Sequence, residues 1–152
     1  MHIKEYPQTL NLNLALLFHL TNQYKDQLIG HYFSGVGVTA AQFKVLINIY
    51  KGTITPVEIC KHLQMDTGAM SRMISRMVKS GLIERHPDIN DKRQVLLGLT
   101  EKGIMLCKTF ENEAMTSILS DLTANLTQDE VNQLMTLLLK LLPDHFTARH
   151  HD

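Results

Sequence analysis

Between Thr67 and Lys79 the chain sets short hydroxyls and cations along one helical face. Thr67, Ser71, Arg72, Ser75, Arg76 and Lys79, with Gly68 among them, lie opposite Met70, Met73, Ile74, Met77 and Val78, and no acid follows Asp66 in this stretch. Small side chains permit close approach, and an arginine can donate two parallel bonds to the O6 and N7 atoms of a guanine edge. The face therefore suits the major groove of duplex DNA, although alone it would equally suit the solvated side of an amphipathic helix. A second cationic pair, Lys92 and Arg93, stands near the tip of a polar run, where it could reach an adjacent minor groove. Asp91, two residues before Arg93, is placed to hold that guanidinium in one orientation.

Other chemistries find less support. Eight histidines invite a metal site, but no two stand at i, i+4 with an acidic partner, and His150 and His151 lie in the tail. Cys60 and Cys107 are far apart and lack a Cys or His at zinc-ligand spacing. They read as buried thiols behaving as small hydrophobes, with oxidant sensing as the alternative. There is no nucleophile motif, glycine-rich phosphate loop or recognisable carboxylate pair, so catalytic residues, a metal and a cofactor are not expected.

The cationic face needs elements that present it. Thr55 as a cap, Pro56 at a first helical position that needs no N–H, and Glu58 to return the capping bond predict a short helix to about Leu63. A turn of about three residues leads to Asp66, whose side chain can cap a fourth helix ending near Gly81. Together they have the form of a helix-turn-helix. The period then changes. Leu82–Arg85 and Gln94–Leu99 predict two strands, and His86–Arg93 a long charged loop joining them.

Around this unit lie further helices. The first carries Leu10, Leu14, Leu17, Tyr24 and Leu28 and is interrupted at Gly35-Val36-Gly37. Thr39 with Gln42 forms a capping box for the second, which shows Phe43, Leu46, Ile47 and Tyr50 on one face and ends at Gly52. Thr100 starts a helix with Ile104, Cys107, Phe110, Ala114, Ile118 and Leu122. Thr127 with Glu130 starts the last, which Pro143 stops, and the tail from His145 is expected to fray. The fold class is mainly α with a small β-hairpin wing, a winged helix-turn-helix.

The last helix holds Val131, Leu134, Met135, Leu137, Leu138, Leu139, Leu141 and Leu142, more than one apolar stripe. A lone monomer would leave part of it in water, unless the helix is central to a monomeric core. The 152 residues suit one domain. No run approaches the ~20 apolar residues of a membrane span, and Met1–Pro7 is too polar for a secretory signal, so a cytoplasmic protein without membrane contact is expected. A net charge of zero argues against a protein that merely coats nucleic acid. Residues 55–99 carry seven Lys and Arg against five Asp and Glu, whereas residues 100–152 carry four against eight.

The stretches Thr39–Leu46, Ile54–Glu58 and Asn90–Arg93, with Leu99–Gly103, resemble the MarR family of winged helix-turn-helix regulators. The Asp-x-Arg wing followed by Leu-Thr-x-x-Gly is the most specific part, and the likeness runs from about residue 10 to Pro143. It implies a single domain over 1–152. Helices in 10–34 and 100–143 would form a dimerisation region, and 39–99 the winged unit, with the helix-turn-helix at about 55–80 and the wing at 82–99. It also implies a sequence-specific transcriptional regulator, a ligand-responsive repressor of resistance, efflux or stress genes. As a homodimer it would bind a pseudo-palindromic double-stranded operator with half-sites ~10 bp apart.

On this resemblance Thr67, Ser71, Arg72, Ser75, Arg76 and Lys79 face DNA from the recognition helix, and Lys92 and Arg93 from the wing. Relatives bind phenolic acids such as salicylate beside the DNA-binding lobe. Pro56, Ser71 and Arg85 stand where such an effector would be held, Arg85 pairing with its carboxylate. Members that sense oxidants or copper use a reactive cysteine, and a close member carries one where this chain has Ser80, which excludes thiol sensing at that position. The competing readings are a metal- or thiol-responsive regulator and a winged-helix interaction module without DNA binding. The second should lack a steep loss of DNA affinity with salt.

Overall fold

Most helices of this chain begin at a side chain that takes up otherwise free N–H groups. In the computed structural model, which describes residues 13–148, Asn13 opens α1 (Leu14–Phe33), its Oδ1 accepting the Leu16 N–H at 2.8 Å. Leu10, Met1–Pro7, His150 and His151 lie outside the described residues. α2 (Ala40–Tyr50) has the anticipated reciprocal cap: Thr39 Oγ1 accepts the Gln42 N–H and Gln42 Oε1 accepts the Thr39 N–H, each at 3.1 Å. A short 3₁₀ turn, Ser34–Val36, and Gly37 at φ +72° separate the two helices.

α3 (Pro56–Leu63) follows Thr55, whose hydroxyl accepts the Glu58 N–H at 3.3 Å. Glu58 does not return the bond. Its carboxylate stays exposed in the first helical turn, where the positive end of the helix favours it without a specific partner. Gln64, at φ 51°, makes the turn, and Asp66 then caps α4 (Thr67–Lys79) by accepting the Ala69 N–H at 3.0 Å. Gly81, at φ +72°, ends it.

The strands are β1 (Ile83–Pro87) and β2 (Val95–Leu99), antiparallel, with Ile83 opposite Leu99 and Pro87 opposite Val95. β1 thus runs two residues beyond the predicted strand, because His86 and Pro87 pair as well, and the loop shortens to Asp88–Gln94. On its other edge β2 is tied down by Leu97, whose N–H donates to the Ile54 carbonyl at 2.8 Å.

α5 (Glu101–Thr109), a π turn (Phe110–Ala114) and α6 (Met115–Leu122) follow in one unbroken run. α7 (Gln128–Leu141) repeats the reciprocal cap with Thr127 and Glu130. Pro143 stops it as expected, and the described part of the tail that follows is a short helix, α8 (Asp144–Thr147), which Pro143 starts by accepting the Phe146 N–H at 2.9 Å.

The core lies where α1, α2 and the α5–α6 run meet the winged unit. Phe43 packs between Phe33 and Phe110, with ring centroids 4.6 and 4.2 Å away, and Leu46, Ile59, Met70, Met77, Leu82 and Ile83 complete it. At its corner Thr100 Oγ1 donates to the Gly81 carbonyl at 2.6 Å, and a Cβ at residue 103 would overlap the Leu82 carbonyl. Only glycine lets α5 come this close to the start of β1. α7 contributes no buried residue, and α1 buries only Ile29 and Phe33. No described helix is long and apolar enough to cross a membrane.

Candidate nucleic-acid interface

The core fixes which side of α4 faces out. Met70, Ile74 and Met77 are buried, and Thr67, Ser71, Arg72, Ser75, Arg76 and Lys79 are all exposed on the other side. A side chain at Gly68 would crowd Asp66 Oδ2 and Arg72 Nη1, 3.1 and 3.3 Å from its Cβ, so glycine here leaves room for Arg72 to lie back over the first turn. Arg72 and Arg76 then line a shallow hollow of about 240 Å³ shared with Thr39 and Gln42 at the start of α2.

Ser75 has a partner that the sequence did not announce. Arg85, on β1, donates from Nη2 to Ser75 Oγ at 2.8 Å, bridging the wing to the outward face of α4. They lie ten residues apart on two different elements, so neither periodicity nor spacing points to the pair.

The wing tip is braced by its own acids. Asp88 Oδ1 accepts the Asn90 N–H at 2.9 Å, and Asp91 Oδ1 accepts the Arg93 N–H at 3.0 Å. The Gln94 N–H donates to the Asp91 carbonyl at 3.0 Å, and the Asp88 N–H to the Gln94 carbonyl at 3.1 Å. This corrects the role given to Asp91, which holds the backbone of Arg93 in a turn and makes no ion pair with its guanidinium. The short side chain two residues away meets the nearer N–H first. Lys92 and Arg93 extend into solvent.

Pro56, Ser71 and Arg85 come together as the resemblance implied. They line one cleft of about 250 Å³ between α3, α4 and the hairpin, with Met70, Ile74 and Leu97 supplying apolar wall. A volume below the ~300–1,000 Å³ of drug-sized sites fits a ligand of one ring. Arg85 is the one cation on its lining.

Both thiols are buried. Cys60 donates from Sγ to the Met65 carbonyl at 2.9 Å. Burial, with Glu111 nearby, pushes the Cys107 thiol up to about 11, far from the thiolate that oxidants and metals attack. Glu111 also accepts from the Tyr50 hydroxyl at 3.3 Å and, after burial, helps raise that group too. Ser80 donates to the Arg76 carbonyl at 2.7 Å. Among the described residues no three His, Cys, Asp or Glu side chains gather as a metal site.

Comparison with known proteins agrees with this geometry. The MarR family model matches residues 36–94. The multiple antibiotic resistance protein MarR of Escherichia coli is 47% identical over 131 residues, 86% of this chain and 91% of that protein. The transcriptional regulator MgrA of Staphylococcus aureus is 30% identical over 138 residues, 87% and 90% of the two chains. The crystal structure of reduced E. coli MarR matches with a TM-score of 0.82 at 44% identity, over 87% of this chain and 98% of that one. A mutant E. coli MarR crystallised with operator DNA matches with a TM-score of 0.75 at 46% identity, over 86% and 94%.

Proposed function

The chain belongs to the MarR family of transcriptional regulators, and from that premise we propose that it represses its targets as a homodimer, reading a pseudo-palindromic operator with two copies of α4. The observation that carries this is the outward face of α4, where Ser71, Arg72, Ser75, Arg76 and Lys79 stand free of acids on a helix locked from behind by Met70, Ile74 and Met77. Arginines there bond base edges or phosphates, the short hydroxyls admit the helix to the groove, and Lys92 and Arg93 follow the phosphates into the neighbouring minor groove. The E. coli relative crystallised with operator DNA supports the same partner here.

The second copy covers α1 and α7, whose leucines otherwise face water. Its two-fold axis spaces the recognition helices for half-sites about 10 bp apart. The protein works in the cytoplasm, carries no catalytic centre and needs no cofactor.

A small aromatic acid is the effector. It enters the cleft beside Pro56 and Ser71, and its carboxylate takes Arg85 from Ser75, which frees the wing from α4. Such a ligand weakens operator binding only to the extent that it prefers the released form.

The test is a binding titration of the full chain against duplexes selected from a randomised library, at several salt concentrations. We expect a two-fold-symmetric footprint and an affinity that falls steeply with salt. A flat salt response or a single asymmetric half-site would remove the reading. For the effector, calorimetry with salicylate should show weaker binding to the protein–operator complex than to free protein, and equal affinities would dismiss it.

A further inference from the structure

Among the described residues the most exposed large hydrophobic is not on the unpartnered helices but at the wing tip: Ile89 is 96% exposed. Exposed apolar side chains scattered singly are ordinary. This one differs in how it is held. It occupies the corner between Asp88 and Asn90, whose Oδ1···H–N bond closes at 2.9 Å, and it shares its loop with Lys92 and Arg93. Three further hydrogen bonds, from Arg93 and Gln94 to Asp91 and from Asp88 to Gln94, brace that loop, so the backbone carrying Ile89 is held at the corner.

The charge of the tip sharpens the point. Asp88 and Asp91 stand against Lys92 and Arg93, so the loop has no net charge with which to press itself against phosphates. Electrostatic attraction alone therefore leaves the tip weakly held. Minor-groove proteins often add apolar side chains such as isoleucine, leucine or proline to their cationic contacts there. We propose that Ile89 is an apolar contact of the wing, lying against the deoxyribose walls of the minor groove that Arg93 enters. This rests on the DNA-binding reading above and deepens it: the wing grips by shape as well as by charge, and flanking sequences that alter groove width affect affinity through Ile89.

The test uses the full chain, a duplex selected by it from a randomised library, and the variants Ile89→Ser and Ile89→Leu. Ile89→Ser should lose affinity about tenfold, as expected for uncovering much of one aliphatic side chain. Ile89→Leu should keep most of it. The salt dependence of Ile89→Ser should match the parent, because no phosphate contact is lost. Its melting temperature should also match, since the residue packs against nothing in the folded chain. Hydroxyl-radical cleavage, which attacks deoxyribose from the minor groove, should reappear at the outer flanks of the footprint with Ile89→Ser. The inference is overturned if Ile89→Ser binds as tightly as the parent, if its loss tracks a lower melting temperature, or if it changes self-association and not affinity. Should the parent bind no duplex from the library, the DNA-binding reading itself has failed, and this inference with it.

Discussion

Asp91 and Arg93 meet through the backbone and not through their charges, so replacing them should have different consequences. Arg93→Ala removes one exposed cation from a braced loop. Operator affinity should fall about tenfold and the salt slope should flatten by about one ion, with thermal stability unchanged. Asp91→Asn keeps the oxygen that accepts the Arg93 N–H and removes a negative charge near phosphates, so affinity should hold or rise. Asp91→Ala loses the turn and should bind more weakly. Had Asp91 oriented the guanidinium by charge, the asparagine variant would also fail, and gel-shift titration of all three separates the cases. Cys107 makes a prediction of a different kind. Its folded thiol titrates near 11, above its ordinary value of 9.0, because burial and Glu111 disfavour the thiolate. A raised value means that the folded state holds the proton longer. The resulting stability is complete below about pH 9 and is lost as pH rises toward 11. Unfolding curves of Cys107→Ala should therefore decline less than the parent's between those values, on top of a uniform loss from the smaller side chain. Alkylation of the folded parent at neutral pH should be slow.

Which elements form was legible from caps, because a cap is a local event. Thr39 with Gln42, Thr55 before Pro56, Asp66, Thr100 and Thr127 with Glu130 each lie within three residues of the group they satisfy, and each starts a helix. What the sequence hid was non-local. The Arg85–Ser75 bridge and the Leu97–Ile54 bond join elements that only tertiary packing brings together. Sequence alone predicts a shorter strand because His86 and Pro87 resemble turn formers, yet pairing with Leu96 and Val95 holds them extended. The Leu-Thr-x-x-Gly stretch was visible as a family signature, and the structure supplies its physics. Thr100 ties α5 to Gly81, and Gly103 passes beneath the Leu82 carbonyl where no methyl fits. Gly103→Ala should thus push α5 off the root of the wing, destabilising the fold by about 1–3 kcal/mol. Gly30 in α1 has nothing beyond its own helical turn within 4 Å of where a Cβ would stand, so Gly30→Ala should be neutral or stabilising by about 0.4–1 kcal/mol. Denaturant titrations of the two variants test this contrast, and equal effects would show that the corner is not tightly packed.

For the molecule as a whole, the distribution of apolar surface decides how the interface is used. α2, α3 and α4 bury Leu46, Ile59, Met70, Ile74 and Met77, whereas Leu137 is 62% and Leu139 59% exposed on α7, and Leu14 is 61% exposed on α1. These helices belong to the chain's ends, and the acidic balance of residues 100–152 sets that region apart from phosphates. A second copy packed there, as proposed, would leave both cationic faces free and fix their spacing. Two half-sites then bind as one event, which raises affinity by about 10²–10⁴ over a single half. Leu134→Lys with Leu137→Lys should sever the pair at little cost to the isolated fold, since neither side chain is buried within one chain. Ultracentrifugation should show a monomer, and the melting temperature, which rises with protein concentration for a coupled dimer, should lose that dependence. Operator affinity should drop by the factor that bivalency supplied, although α4 and the wing are untouched. If this double variant remains a dimer with parental affinity, α7 lies outside the two-fold contact. The spacing of the recognition helices must then be set by other surfaces.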